Sequence, residues 1–288
     1  MSASESAILR QIERLQTERF AEIEAEVAAK RRQWVESNRP RVAGARITVR
    51  QAYELFFADY LGLDLDEVAV VRETEERIVW RSTNRCSTLE ACKRAGLDTR
   101  RVCRLAYDKP TQTFFSTLDP TLRFHRSYEQ IRPHAAYCEE WLVRVDFEAM
   151  MQIAIEEAKR SRAEGNKGYG AVVVYDGEVV SRAHDTAVVE RDPSLHAEVN
   201  AIRQACRARG DANLAGAVLF STCEPCPMCA ALAVWANVTT IVFGASIGET
   251  AGRGKARIMI SADEVVSKSP ALVEVIGGVL REECLGLY

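Results

Sequence analysis

No run of about 18 apolar residues occurs in this 288-residue chain, so no membrane-spanning helix is expected. The first residues, Met1-Ser2-Ala3-Ser4-Glu5, are polar and acidic and lack the apolar core of a secretory signal, which points to a cytoplasmic protein. A large excess of positive charge is also missing: 38 Lys and Arg stand against 41 Asp and Glu, a net charge of −3. From Asp146 onward the counts are 14 and 19, or −5; the residues before it hold 24 and 22, or +2. Neither part has the basic surface of a typical nucleic-acid binder, so nucleic acid is not the expected partner and a small molecule is. A disulfide framework is not expected. The nine cysteines are odd in number, two of them form a Cys-x-x-Cys pair, and in a reducing compartment they read as ligands or buried thiols.

What is present suffices for two modest domains, with 47% hydrophobic and 27% charged residues. Residues 1–40 read as a long N-terminal helix. Ile8, Ile12, Leu15, Phe20, Ile23, Val27 and Trp34 keep to one side of residues 4–37, and Pro40 ends it. Such a helix serves dimerisation or domain linkage, or lies across its own domain. Residues 41–143 read as an α+β domain of unknown role. Helical stretches are expected at 49–61, 89–95 and 99–107, with Gly96 as a C-cap, and short strands at 68–71 and 78–80. The text from 109 to 133 reads as irregular and aromatic. Cys86, Cys92, Cys103 and Cys138 have spacings that match no zinc ribbon or iron–sulfur run, so buried thiols are the better account. His125 and His134 read as structural.

Residues 146–288 have another rhythm. A helix at 147–162 precedes a β-branched run, 171–175, which turns at Asp176-Gly177 into a second strand, 178–183. Asp192-Pro193 reads as the N-cap and first position of a helix carrying His196 and Glu198. Strands are expected at 218–221, 240–243 and 272–276. Helices are expected at 230–236, after a capping box at Ser261-Ala262-Asp263-Glu264, and at 279–287; a Gly-rich loop holds Gly244, Gly248, Gly252 and Gly254. This order predicts an α/β/α three-layer sandwich around a mixed five-stranded sheet, its fifth strand parallel to the fourth.

The chemistry concentrates in two stretches. Leu195-His196-Ala197-Glu198-Val199-Asn200-Ala201-Ile202 gives a histidine with a glutamate two residues on, and Thr222-Cys223-Glu224-Pro225-Cys226-Pro227-Met228-Cys229 gives a Cys-x-x-Cys pair. Cys226 and Cys229 project from one side of a helix start, where free amides favour thiolates. With His196 they supply three ligands to a tetrahedral Zn2+ and leave a fourth position open, as a catalytic site requires. Cys223, the candidate fourth ligand, is expected in the strand-to-helix turn. Glu198 is placed to shuttle protons in the same cavity.

These stretches, with Gly170-Ala171-Val172, Asp192-Pro193 and the tail from Val273 to Cys284, resemble the cytidine-deaminase-like zinc deaminases, in the branch of guanine deaminases and tRNA adenosine deaminases. The resemblance covers residues 147–288. It implies a hydrolytic deaminase, usually a homodimer, with zinc on His196, Cys226 and Cys229, Glu198 moving the proton, and the Ala197 amide and Glu224 carbonyl facing the substrate. Trp235, in a Trp-Ala pair after the second stretch, fits the guanine deaminases and is carried over as a substrate-side residue. One departure bears on the substrate: where that branch usually has a base-binding Asn, eleven residues before the histidine, this chain has Asp185, which when ionised only accepts hydrogen bonds. The expected function is zinc-dependent release of ammonia from a free aminated nitrogen heterocycle, a purine ahead of other rings. The alternatives are tRNA adenosine-to-inosine deamination and a zinc-containing binding protein without catalysis.

Overall fold

The computed structural model describes residues 3–17, 19–38, 46–269 and 273–288. It divides into two compact units, Met1–Val145 and Asp146–Tyr288. Among the described residues no helix is long and apolar enough to cross a membrane.

The first unit opens with α1 (Ala3–Gln16) and α2 (Phe20–Asn38), so the single helix expected over 4–37 is divided. The Thr17 hydroxyl bonds back to the Glu13 and Arg14 carbonyls and closes α1 there. Pro40, expected to end the helix, lies outside the described residues. Leu15, Phe20 and Ile23 pack with Ala91, Cys92, Val102 and Ala106, so both helices lie across their own unit. Next come α3 (Val49–Glu54), continued by a π-helical turn at Leu55–Tyr60, then β1 (Val68–Glu73), β2 (Arg77–Ser82), α4 (Ser87–Ala95) and α5 (Thr99–Ala106). Gly96 ends α4 in the left-handed conformation, φ +66°. The stretch expected to be irregular instead contains α6 (Asp108–Leu118) and β3 (Leu122–Arg126), followed by β4 (Cys138–Arg144). Pro110 is tolerated because it sits in the first turn of α6, where amides have no intrahelical acceptor. The sheet is antiparallel in the order β1-β2-β4-β3. Tyr53, Phe56, Phe57, Trp80, Phe114 and Phe115 form the centre of its core.

The second unit begins with α7 (Phe147–Ala163), capped by the Asp146 carboxylate. Then β5 (Gly170–Tyr175) turns into β6 (Glu178–His184) through Asp176 and Gly177, both at positive φ. After α8 (Ala197–Arg209) come β7 (Val218–Cys223), α9 (Pro227–Trp235), β8 (Thr240–Ala245), α10 (Ile247–Gly252), α11 (Ala262–Ser267), β9 (Glu274–Ile276) and α12 (Arg281–Leu285). The five-stranded sheet runs β6-β5-β7-β8-β9; β5 pairs antiparallel with both neighbours, while β7, β8 and β9 are parallel, as the helical crossovers require. Leu272, expected in the fifth strand, lies outside the described residues. Ala197, Ala201, Ile202 and Ala205 of α8 and Ala233 of α9 cover one sheet face at Ala171, Val173, Leu219 and Ile241. On the other face α7 lies against β5 so closely that a Cβ on Gly170 would meet the Ala154 carbonyl at 1.9 Å. This is the expected α/β/α sandwich.

Two expectations here are corrected. Asp192-Pro193 does not start α8: the Asp192 carboxylate accepts from the Ser194 amide and hydroxyl and closes a local turn instead. Nor do Gly244, Gly248, Gly252 and Gly254 share one loop. Gly244 lies in β8, and a Ser246–Glu249 capping box starts α10 through Gly248 and Gly252 despite their low helix propensity.

Candidate metal centre

With the Asp192 turn closed early, the backbone stays extended through His196 (φ −68°, ψ 158°), which becomes the N-cap of α8. Glu198 is then the second residue of the helix. Cys226 is likewise the N-cap of α9, Pro227 its first residue and Cys229 its third. Since β7 ends at Cys223, the thiols stand just beyond the carboxyl end of a central strand, where open α/β sheets bind ligands.

The three candidate ligands converge. His196 Nδ1 is 3.6 Å from Cys226 Sγ and 3.5 Å from Cys229 Sγ, and the two sulfurs are 3.6 Å apart. Bonds of about 2.3 Å to sulfur and about 2.0 Å to nitrogen at tetrahedral angles give edges of roughly 3.8 and 3.5 Å. The triangle therefore has the size of one face of a zinc tetrahedron. It is the one such group of His, Cys or acidic ligands among the described residues.

The thiols do not titrate alike. A hydrogen bond from Cys229 brings the Cys226 thiol down to about 4 against the effect of burial, with His196 helping. Cys229 is pushed up, by that same bond and by burial. His196 is raised by its bond to Cys226, against burial, and further by the charges of Glu198, Cys226 and Asp185. A thiolate beside a neutral-capable imidazole is a donor set suited to zinc.

Glu198 is buried, and burial holds its carboxyl above the ordinary range. Its Oε1 accepts from Ser221 Oγ at 3.1 Å, and its Oε2 lies 3.5 Å from Cys229 Sγ. Ala197 is wholly buried, and as the first residue of α8 its amide has no intrahelical acceptor. Asp185 is 0% exposed and sits just past β6. The Glu224 carboxylate accepts from the Ile247 amide at 2.9 Å and the Ala262 amide at 2.9 Å, tying the starts of α10 and α11 to the end of β7.

Trp235 is not brought to this group. It is 82% exposed at the far end of α9, six residues or about 9 Å of helix beyond Cys229, because the helix runs away from the metal-binding end. Cys223 is not a fourth ligand either: it ends β7 beside Thr250 and Arg257, and burial pushes its thiol up to about 11. In the first unit all four cysteines are free thiols, Cys92 buried and the others half-buried. His125 stacks on Trp141, and His134 pairs with Asp98.

Two supporting residues were not singled out by sequence reasoning. Ser221 holds Glu198 from the neighbouring strand, and only its inward register could have marked it. Asn200 sits one turn after His196 and donates to the His184 carbonyl and the Thr186 hydroxyl, pinning the segment between β6 and α8. Its place at i+4 from the histidine was the available signal.

The family model for the cytidine and deoxycytidylate deaminase zinc-binding region matches residues 145–245. The chain is 39% identical over 140 residues to the tRNA-specific adenosine deaminase of Bacillus subtilis (strain 168), covering 49% of this chain and 84% of the relative. It is 37% identical over 86 residues to the guanine deaminase of the same organism, covering 30% and 55%. A structure solved in a study of A-to-I editing by tRNA:A34 deaminases is 30% identical, covers 49% of this chain and 99% of its own, and superposes with a TM-score of 0.44. An imidazole and two cysteine sulfurs set at zinc spacing beside a buried glutamate, together with the family match and the two relatives in Bacillus subtilis, make this chain a member of the cytidine-deaminase-like zinc deaminases, hydrolases of C–N bonds, in the branch of the tRNA adenosine and guanine deaminases.

Proposed function

We propose that this chain releases ammonia from a free aminated nitrogen heterocycle, a purine ahead of other rings, at the centre formed by His196, Cys226, Cys229 and Glu198. The observation that carries the proposal is the zinc-sized triangle with the buried Glu198 carboxylate 3.5 Å from one of its sulfurs. His196, Cys226 and Cys229 hold the metal, and zinc bound there supplies a Lewis acid that makes water nucleophilic near neutral pH. Ser221 fixes Glu198 Oε1, which leaves Oε2 toward the ligands. Glu198 takes one proton from the attacking water and passes it to a ring nitrogen, then takes the second from the new hydroxyl and delivers it to the departing amine. A C–O bond forms, the C–N bond breaks, and ammonia leaves. The Ala197 amide and the Glu224 carbonyl orient the ring, and the carboxylate of Glu224 braces the loops around it.

The negative balance of residues 146–288 favours a small substrate over a polyanion. A second reading, deamination of adenosine in tRNA, is favoured by the broader match to the Bacillus subtilis tRNA-specific adenosine deaminase, 84% of its length against 55% of the guanine deaminase. Ammonia release measured over purines, pyrimidines, nucleosides, pterins and triazines separates the two. Turnover of a free base is expected; turnover of a stem-loop RNA and of no free base reverses the order. Met228 and Trp235, two turns apart on α9 and both exposed, form an apolar face suited to a second copy of this chain. A dimer in sedimentation that Trp235→Glu converts to monomer supports this assignment, and an unchanged monomer contradicts it.

A further inference from the structure

Asp185 has one carboxylate oxygen too many for its surroundings. Its Oδ1 accepts from the Ala187 amide at 3.3 Å, while its Oδ2 is buried with no hydrogen-bond partner among the described residues. The backbone cannot swing the group away: the Asp185 amide donates to the Tyr169 carbonyl at 3.0 Å, and its carbonyl accepts from Ser161 Oγ at 2.8 Å. The next residue, Thr186, donates its amide to the Leu195 carbonyl at 3.0 Å and accepts from Asn200 Nδ2 at 3.1 Å, which sets Asp185 beside the segment that ends in His196. Neither Asp185 nor Glu198 is in an ion pair among the described residues. An ionised carboxylate only accepts, and a buried acceptor without a donor is costly, so Oδ2 calls for a donor brought by the ligand.

We propose that Asp185 Oδ2 accepts a ring N–H of the substrate, so that the site selects aminated heterocycles that carry a ring N–H over those whose ring nitrogens offer only lone pairs. Guanine-type lactams belong to the first class. Adenosine belongs to the second, because N1, N3 and N7 are acceptors and N9 bears the sugar. This rests on the deaminase reading above and narrows its substrate.

Asp185→Asn is the natural test, since it keeps the shape and turns one acceptor into a donor; zinc content and melting temperature verify that the fold is kept. Guanine, its 1-, 7- and 9-methyl derivatives and adenosine are titrated into zinc-loaded Glu198→Ala protein, which does not consume them, with and without Asp185→Asn. Guanine is expected to bind the protein that retains Asp185 about tenfold more tightly, the loss of one hydrogen bond to a charged group. One methyl derivative should lose that advantage, and adenosine should change in the opposite direction. The same order and ratios in both proteins overturn the inference while leaving the deaminase assignment intact. A change in melting temperature with no change in any affinity also overturns it, because the partner of Oδ2 is then a structural water. Binding of none of these ligands, together with no ammonia released from them by the wild-type chain, removes both the inference and the reading beneath it.

Discussion

Asp108 and Glu140 of the first unit and Asp185 and Glu198 of the second are treated in opposite ways. In the first unit Arg126 Nε donates to Glu140 Oε1 at 2.7 Å, and its Nη1 binds Asp108. Trp80 Nε1 donates to Glu140 Oε2 at 3.0 Å, and the Tyr128 hydroxyl binds the second oxygen of Asp108. Every carboxylate oxygen there has a donor from the protein itself. In the second unit Glu198 lies 3.5 Å from the Cys229 thiol, and Asp185 Oδ2 has no partner among the described residues. A saturated buried network specifies a packing arrangement, whereas an unsaturated one is prepared for something that arrives later. The first fits architecture, and the second fits the reaction site proposed above.

The largest test of this contrast removes the metal ligands. Cys229→Ser, or chelation of the wild-type protein, is expected to take zinc from about one per chain toward none and to abolish ammonia release, as read by metal analysis and ammonia assay. About two zinc ions per wild-type chain would instead give the first unit a metal site of its own. Next, Glu198→Ala should keep zinc and lose about 10²–10⁴ in turnover, the worth of a general acid–base group.

The counterpart in the first unit is Arg126→Ala. It strands the buried Glu140 and the half-buried Asp108 and should cost about 3 kcal/mol in urea unfolding of that unit, with zinc content unchanged. If Arg126→Ala abolished catalysis at full zinc and full stability, the first cluster would be more than architecture. The smallest effect should be shared by both units. Gly96 and Gly210 end α4 and α8 at φ +66° and +65° with open space around a built Cβ, so alanine at either costs about 1 kcal/mol of backbone strain. Unequal melting shifts would show that the two ends are not equivalent.

Sequence reasoning succeeded where local rules and tertiary demands agree. Asp176-Gly177 made the hairpin, the crossover before Glu274 made β9 parallel, and Cys226 and Cys229 fell three apart at a helix start. It failed in the first unit where charge lies inside. Arg123, Glu140 and Arg144 are buried in β3 and β4, and they break the apolar alternation that would have revealed these strands. Asp192-Pro193 misled for a different reason: the dipeptide satisfies a turn as well as a cap, and the turn won. The convergence of His196, Cys226 and Cys229 beside Glu198 was legible because zinc chemistry restricts residue type and spacing. Ser221 and the brace made by the Glu224 carboxylate were not, since their partners are distant in sequence and any hydroxyl or carboxylate could have filled the role. Trp235 was carried over by likeness alone, and the direction of α9 takes it away from the metal centre.

The most direct test of the central claim compares ammonia release from free aminated heterocycles by the wild-type chain and by Glu198→Ala at equal zinc occupancy. The account predicts turnover of at least one ring N–H heterocycle by the wild type and a loss of about 10²–10⁴ in the variant. Equal turnover by the two proteins would contradict it, because a centre built around Glu198 cannot work unchanged without that carboxylate.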